Sequence, residues 1–148
     1  MYKNILVAID DSETSRCALK EALHIAGKSD AKLFVTHVVD ETLLNMHGHA
    51  MLDMGNAATA ASNLVQAGQK LVDEAMKSAA GINAEGLIIE ARSRRISETI
   101  ADKARELGVD LIIIGRHGQR GLATLILGSV AEQLARMADA SVLLVRKH

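Results

Sequence analysis

"LIIIGRHGQRGLATLILGSV", Leu111 to Val130, joins four consecutive apolar residues to a glycine-rich, cationic loop and then to the start of a run with helical spacing. An unbroken apolar run of this length fits a strand covered on both faces, which is the situation in a parallel sheet. Four more short runs share that character: Asn4 to Ile9, Lys32 to Val39, Gly86 to Ala91, and Ser141 to Val145. Between them the apolar residues recur every three to four positions, the period of a helix with one buried stripe. Ala18, Leu19, Ala22, Leu23 and Ala26 form the first stripe. Leu64, Gly68, Leu71, Val72, Ala75 and Ala79 form the second; Ile96, Ile100, Ala104 and Leu107 the third; Val130, Leu134, Met137 and Ala138 the fourth.

The order β-α-β-α-β-α-β-α-β predicts an α/β fold with a five-stranded parallel sheet and helices on both faces. Right-handed crossovers favour the strand order 3-2-1-4-5. Strands one and four then become neighbours where the winding reverses, and a crevice opens outside their carboxyl ends. The Asp10-Asp11-Ser12 turn lies on one side of it and the glycine loop on the other. The length, 148 residues, predicts a single domain over 1–148.

Composition excludes several classes. Lys plus Arg number 17 against 18 Asp plus Glu, so there is no basic excess for nucleic acid. One Phe, one Tyr and no Trp offer no platform for stacking bases along a strand. No apolar stretch approaches the ~20 residues of a membrane span. The amino terminus does not read as a signal peptide, and a cytoplasmic protein is expected. Cys17, the only cysteine, excludes an internal disulfide and reads as a small buried hydrophobe.

Gly115, Gly118, Gly121 and Gly128 lack Cβ atoms, which lets the main chain turn with positive φ or lets a ligand approach closely. Gly128-Ser129 opens the last helix, where free N–H groups and a partial positive charge suit a phosphate. Ser129 is placed either to donate to phosphate or to cap the helix. Arg116, His117 and Arg120 add cationic or donor groups. The alternative is that the glycines only shape turns. Neither G-x-x-x-x-G-K-[ST] nor a G-x-G-x-x-G after the first strand is present.

These residues also carry a family resemblance. Gly115-x2-Gly118-x9-Gly128-Ser129 is similar to the G-x2-G-x9-G-[ST] motif of ATP-binding universal stress proteins. "MYKNILVAIDDSETS", "THVVDE", "VDLIIIGRHG" and "LGSVAEQLARMADASVLLVR" resemble, in order, other segments of that family, so the likeness covers nearly the whole chain; residues 40 to 60 are its weakest part. The resemblance implies an ATP-binding regulatory or stress-response module, commonly a homodimer, with ADP or AMP as related ligands. It places Asp10 near the ribose and adenine, the Val38 backbone at the adenine, and Gly115 and Gly118 near ribose and phosphates. Gly128, Ser129 and Val130 would face the phosphates, with Ser12 and Thr14 as adjacent hydroxyls for phosphate or a metal. Arg116, a candidate ligand contact of the same loop, lies with His117 and Arg120 at positions that vary in the family, so their roles stay open. Asp10 would be the carboxylate for an accompanying Mg²⁺. Arg95-Ile96 departs from the family, whose members often carry proline before the third helix.

No catalytic base or nucleophile stands out, so catalysis is not expected, although slow ATP hydrolysis or phosphate transfer by the same fold stays open. His47 and His49 read as an exposed loop pair rather than a metal site, and Met46, Met51 and Met54 as a flexible apolar cover. Residues 40 to 57 read as a long connection. Arg92, Arg94 and Arg95 form either a solvated basic turn or an anion attractant. The apolar last strand, at the sheet edge, suits a homodimer.

Overall fold

The structure is a computed structural model and describes residues 1–42, 54–117 and 127–147. Its five strands are β1 (Asn4–Ala8), β2 (Lys32–Val39), β3 (Ala84–Glu90), β4 (Leu111–Gly115) and β5 (Ser141–Val145). They form one parallel sheet in the order β3-β2-β1-β4-β5, as the sequence predicts. The four helices among the described residues are α1 (Glu13–Ser29), α2 (Met54–Ser78), α3 (Ile96–Glu106) and α4 (Ser129–Met137).

The central strands explain the unbroken apolar runs. Ile5 and Val7 of β1 belong to one core with α1 and α2, while Leu6 belongs to a second core with α3 and α4. Successive side chains on a strand point to opposite faces, so a strand between two helical layers needs apolar residues at every position. Ile5, Leu6, Val7, Ile112 and Ile113 are all fully buried.

On α1 the residues against the sheet are Ala18, Ala22 and Ala26, spaced by four. The Ser12 side chain caps this helix by accepting the Ser15 N–H, and Asp30 closes it in the left-handed region. α2 buries Val72 and Ala75, α3 buries Ile100 and Ala104, and α4 buries Ala131 and Leu134. Two side chains depart from expectation. Met137, the last residue of α4, is exposed, while Leu134 one turn earlier carries the buried face. Cys17 is only half-buried, one position before the alanine stripe of α1.

Several boundaries also differ. β3 begins at Ala84, two residues earlier than its apolar run, because this edge strand has a polar start in which Glu85 pairs with Lys32 at 2.8 Å. α2 begins at Met54, inside the stretch expected to be connection. Met46, His47, His49 and Met51 lie outside the described residues. No described helix is long and apolar enough to cross a membrane.

Candidate functional site

At the carboxyl ends of β1 and β4 the sheet opens into a cleft of about 1190 Å³. Asp10, Ser12, Val38, Gly115, Gly128, Ser129 and Val130 all line it. Gly118 and Arg120 lie outside the described residues. Arg116 is not among the lining residues. It acts through its main chain, its N–H donating to the Val145 carbonyl at 2.7 Å and its carbonyl accepting the Gly128 N–H at 2.8 Å. These two bonds fix both ends of the glycine loop against β5 and the start of α4.

The turn after β1 is tightly organised. The Asp10 N–H donates to Ser15 Oγ at 2.8 Å, and Asp10 Oδ1 accepts the Ser12 N–H at 2.8 Å. Thr14 Oγ1 donates to the His117 carbonyl, which ties the turn to the far side of the cleft. Ser12 and Thr14 are therefore engaged within the fold, as helix cap and as cross-cleft tether.

The role of Gly115 differs from that expected. Its φ is not positive; a Cβ there would lie 2.7 Å from Thr14 Oγ1, 2.9 Å from Thr14 C and 3.0 Å from the Ser15 nitrogen. The missing side chain leaves room for the first turn of the protein's own α1.

The start of α4 is rich in donors. Gly128 is the N-cap and makes no side-chain capping bond, so Ser129 is the first helical residue and not the cap. The first intrahelical bond is from the Glu132 N–H to the Gly128 carbonyl. The N–H groups of Ser129, Val130 and Ala131 thus lack intrahelical partners, and these residues face the cleft.

A second set of main-chain groups opens at β2. The Thr36 carbonyl accepts the Ile9 N–H at 2.8 Å, so Thr36 presents its main chain toward β1. Main-chain direction alternates along a strand, and Val38 presents its N–H and C=O to the same side. There β1 has already turned away at Asp10, and among the described residues no strand bond takes them up. Nearby, His37 Nδ1 lies 2.8 Å from the Ile9 carbonyl oxygen. A carbonyl can only accept, so Nδ1 carries the proton.

The β3–α3 turn forms the outer wall. Arg92 and Ser93 are consecutive non-glycine residues with positive φ, and the Arg92 N–H donates to Glu41 Oε2 at 3.0 Å. Arg94 lines the cleft and bonds Asp102 at 2.6 Å; Arg95 lines it too, as an α3 N-cap without a capping bond. The Asp102 hydrogen bond holds the Arg94 pKa above its ordinary value. Among the described residues no group of three or more His, Cys, Asp or Glu is arranged to hold a metal ion. Asp10 keeps one carboxylate oxygen, Oδ2, outside its turn bond, which suits the single-carboxylate mode in which Mg²⁺ accompanies phosphates.

Ser15, Thr36, His37 and Gln133 also line the cleft, and no spacing in the sequence marks them. Ser15 and Thr36, like Ser97 and Thr99, are buried hydroxyl residues, and a hydroxyl set among apolar neighbours is the signal the sequence offers for them. Gln133 accepts from the buried Ser97 hydroxyl and so joins α3 to α4 behind the cleft.

Comparison with known proteins agrees with this architecture. The model of the Universal stress protein family matches residues 1–146. Universal stress protein YxiE of Bacillus subtilis is 31% identical over 149 residues, covering 99% of this chain and 100% of its own. The solved structure of protein MJ0577 superposes with a TM-score of 0.84 at 27% identity, covering 100% of this chain and 98% of that one. A universal stress protein from Archaeoglobus fulgidus in complex with dAMP shares the fold, with a TM-score of 0.61 at 22% identity over 97% of this chain and 98% of its own. With its strand order, its cleft at the winding reversal and these relatives, the chain belongs to the universal stress protein family.

Proposed function

We propose that the protein is a nucleotide-dependent regulatory module that binds an adenine nucleotide, ATP first among candidates, in the β1–β4 cleft. The observation that carries this reading is the pairing of two unsatisfied main-chain sets in one cavity. The N–H groups of Ser129, Val130 and Ala131 suit an anionic tail. The open N–H and C=O of Val38 suit the edge of a planar base, which needs a donor and an acceptor side by side. Asp10, between them along the sheet, is placed for ribose hydroxyls, and its Oδ2 for Mg²⁺. Gly118 of the glycine loop belongs to the phosphate end in this reading. The dAMP complex of the Archaeoglobus fulgidus relative supports an adenine nucleotide as the ligand class. ADP and AMP are the related ligands, and the protein pairs as a homodimer through β5.

Calorimetric titration and thermal unfolding with ATP, ADP and AMP test this. Ligand at a hundred times its Kd adds about 2.7 kcal/mol to the folded state, which raises Tm by roughly 5–10 °C for a domain of this size. No shift with any of the three, from folded protein, would overturn the reading. Phosphate release from ATP, followed on the wild type and Asp10→Asn, separates a binding module from an ATPase: release at the background rate in both is expected.

A further inference from the structure

Thr36 is fully buried in the middle of β2, and its hydroxyl has no hydrogen-bond partner among the described residues. Its neighbours on the same face of the sheet are apolar. Phe34 and Val38 flank it along the strand, and Ala8 and Leu87 stand beside it in β1 and β3. Buried hydroxyls almost always find a partner, and one that does not is destabilising. A valine would fill the same volume with no unmet hydrogen bond, so shape does not account for a threonine here. Thr36 does, however, line the cleft.

We propose that the Thr36 hydroxyl is a ligand-contacting group that bonds the polar edge of the bound base. This deepens the nucleotide reading above and rests on it. Thr36 stands two residues before Val38, whose main chain opens to the same cavity, and Ala8 beside it leaves room on the β1 side. The hydroxyl is covered in the free protein. The bond forms as the base settles and the side chain turns about Cα–Cβ between staggered wells. A hydroxyl both donates and accepts, so it recognises a polar ring edge rather than one particular substituent.

The test compares the full-length wild type with Thr36→Val and Thr36→Ser, by thermal unfolding without ligand and by calorimetric titration with ATP and AMP. Thr36→Val removes an unmet polar atom, so its ligand-free Tm rises by about 2–4 °C. The same change weakens both nucleotides by roughly tenfold, while Thr36→Ser, which keeps the hydroxyl, stays within about threefold of the wild type. A lower ligand-free Tm for Thr36→Val means the hydroxyl has a partner inside the fold and overturns the proposal. Unchanged affinity in Thr36→Val overturns it as well, and leaves nucleotide binding standing. Absence of binding by the wild type overturns the nucleotide reading itself, and this assignment with it.

Discussion

At the scale of single residues, the cleft is shaped by groups that act on the protein before they act on any ligand. Gly115 is the clearest case. The sequence suggests a glycine left bare for a ligand, and the structure fills that space with Thr14 and the Ser15 amide. Gly115→Ala therefore places a methyl against main-chain atoms that belong to α1 and have no rotamer to yield. We expect it to destabilise the fold by about 1–3 kcal/mol in urea unfolding. Stability equal to wild type would show that α1 can move aside. Ser15 works in the same way, holding the Asp10 amide from a buried position. Neither role was legible from spacing. Both depend on contacts between residues about a hundred positions apart or on a hydroxyl turned inward, and a linear pattern shows residue types rather than neighbours. The sequence leaves the role of Arg116 open, and in the structure its main chain bonds Val145 of β5 and Gly128 at the start of α4.

At the scale of elements, legibility followed burial. β1, β2 and β4 were clear in the sequence because two helical layers demand apolar residues at every position. The start of the edge strand β3 is not legible because its first residues meet solvent and an ion pair. The start of α2 is not legible because "MGNA", residues 54–57, carries glycine, asparagine and alanine rather than an apolar stripe. The ends of the helices carry two predictions. Ser12→Ala removes the cap of α1 and leaves the Ser15 N–H without its acceptor, and it should cost about 1 kcal/mol in thermal or urea unfolding. On α3, the hydrogen bond from Arg94, with a second from Arg105, lowers the Asp102 carboxyl below its ordinary 3.8. A carboxyl with a depressed folded value stabilises above the unfolded value and loses that contribution as pH falls through the folded one. The Asp102 bridges are thus complete at neutral pH and weaken only in acid, below about pH 4. Tm followed from pH 7 down to pH 3 should fall less steeply at the acid end in Asp102→Asn than in the wild type. Parallel profiles would show that these exposed bridges contribute nothing.

At the scale of the whole molecule, the order of strands and helices was enough to place the cleft, because a doubly wound sheet reverses at one point only and the strands flanking it follow from connectivity. The same topology leaves two edges, and they are not alike. β3 carries Glu85 and Glu90 at its ends, both in ion pairs, whereas β5 is Ser141 followed by four apolar residues that remain partly exposed. Charge protects an edge from pairing, and its absence invites a second chain. The β5 main chain also shows which groups would meet that chain. Ser141 donates to Asp110 and the Val145 carbonyl accepts from Arg116, so odd-numbered positions face β4 and the N–H groups of Val142 and Leu144 face outward. Val142→Pro removes one outward donor and leaves every bond to β4 in place, which is where a strand tolerates proline. Sedimentation equilibrium of the wild type should give twice the mass of one chain at micromolar concentration, and of Val142→Pro the mass of a single chain. A single-chain mass for the wild type, or an undiminished dimer in the variant, would place the contact elsewhere or remove it.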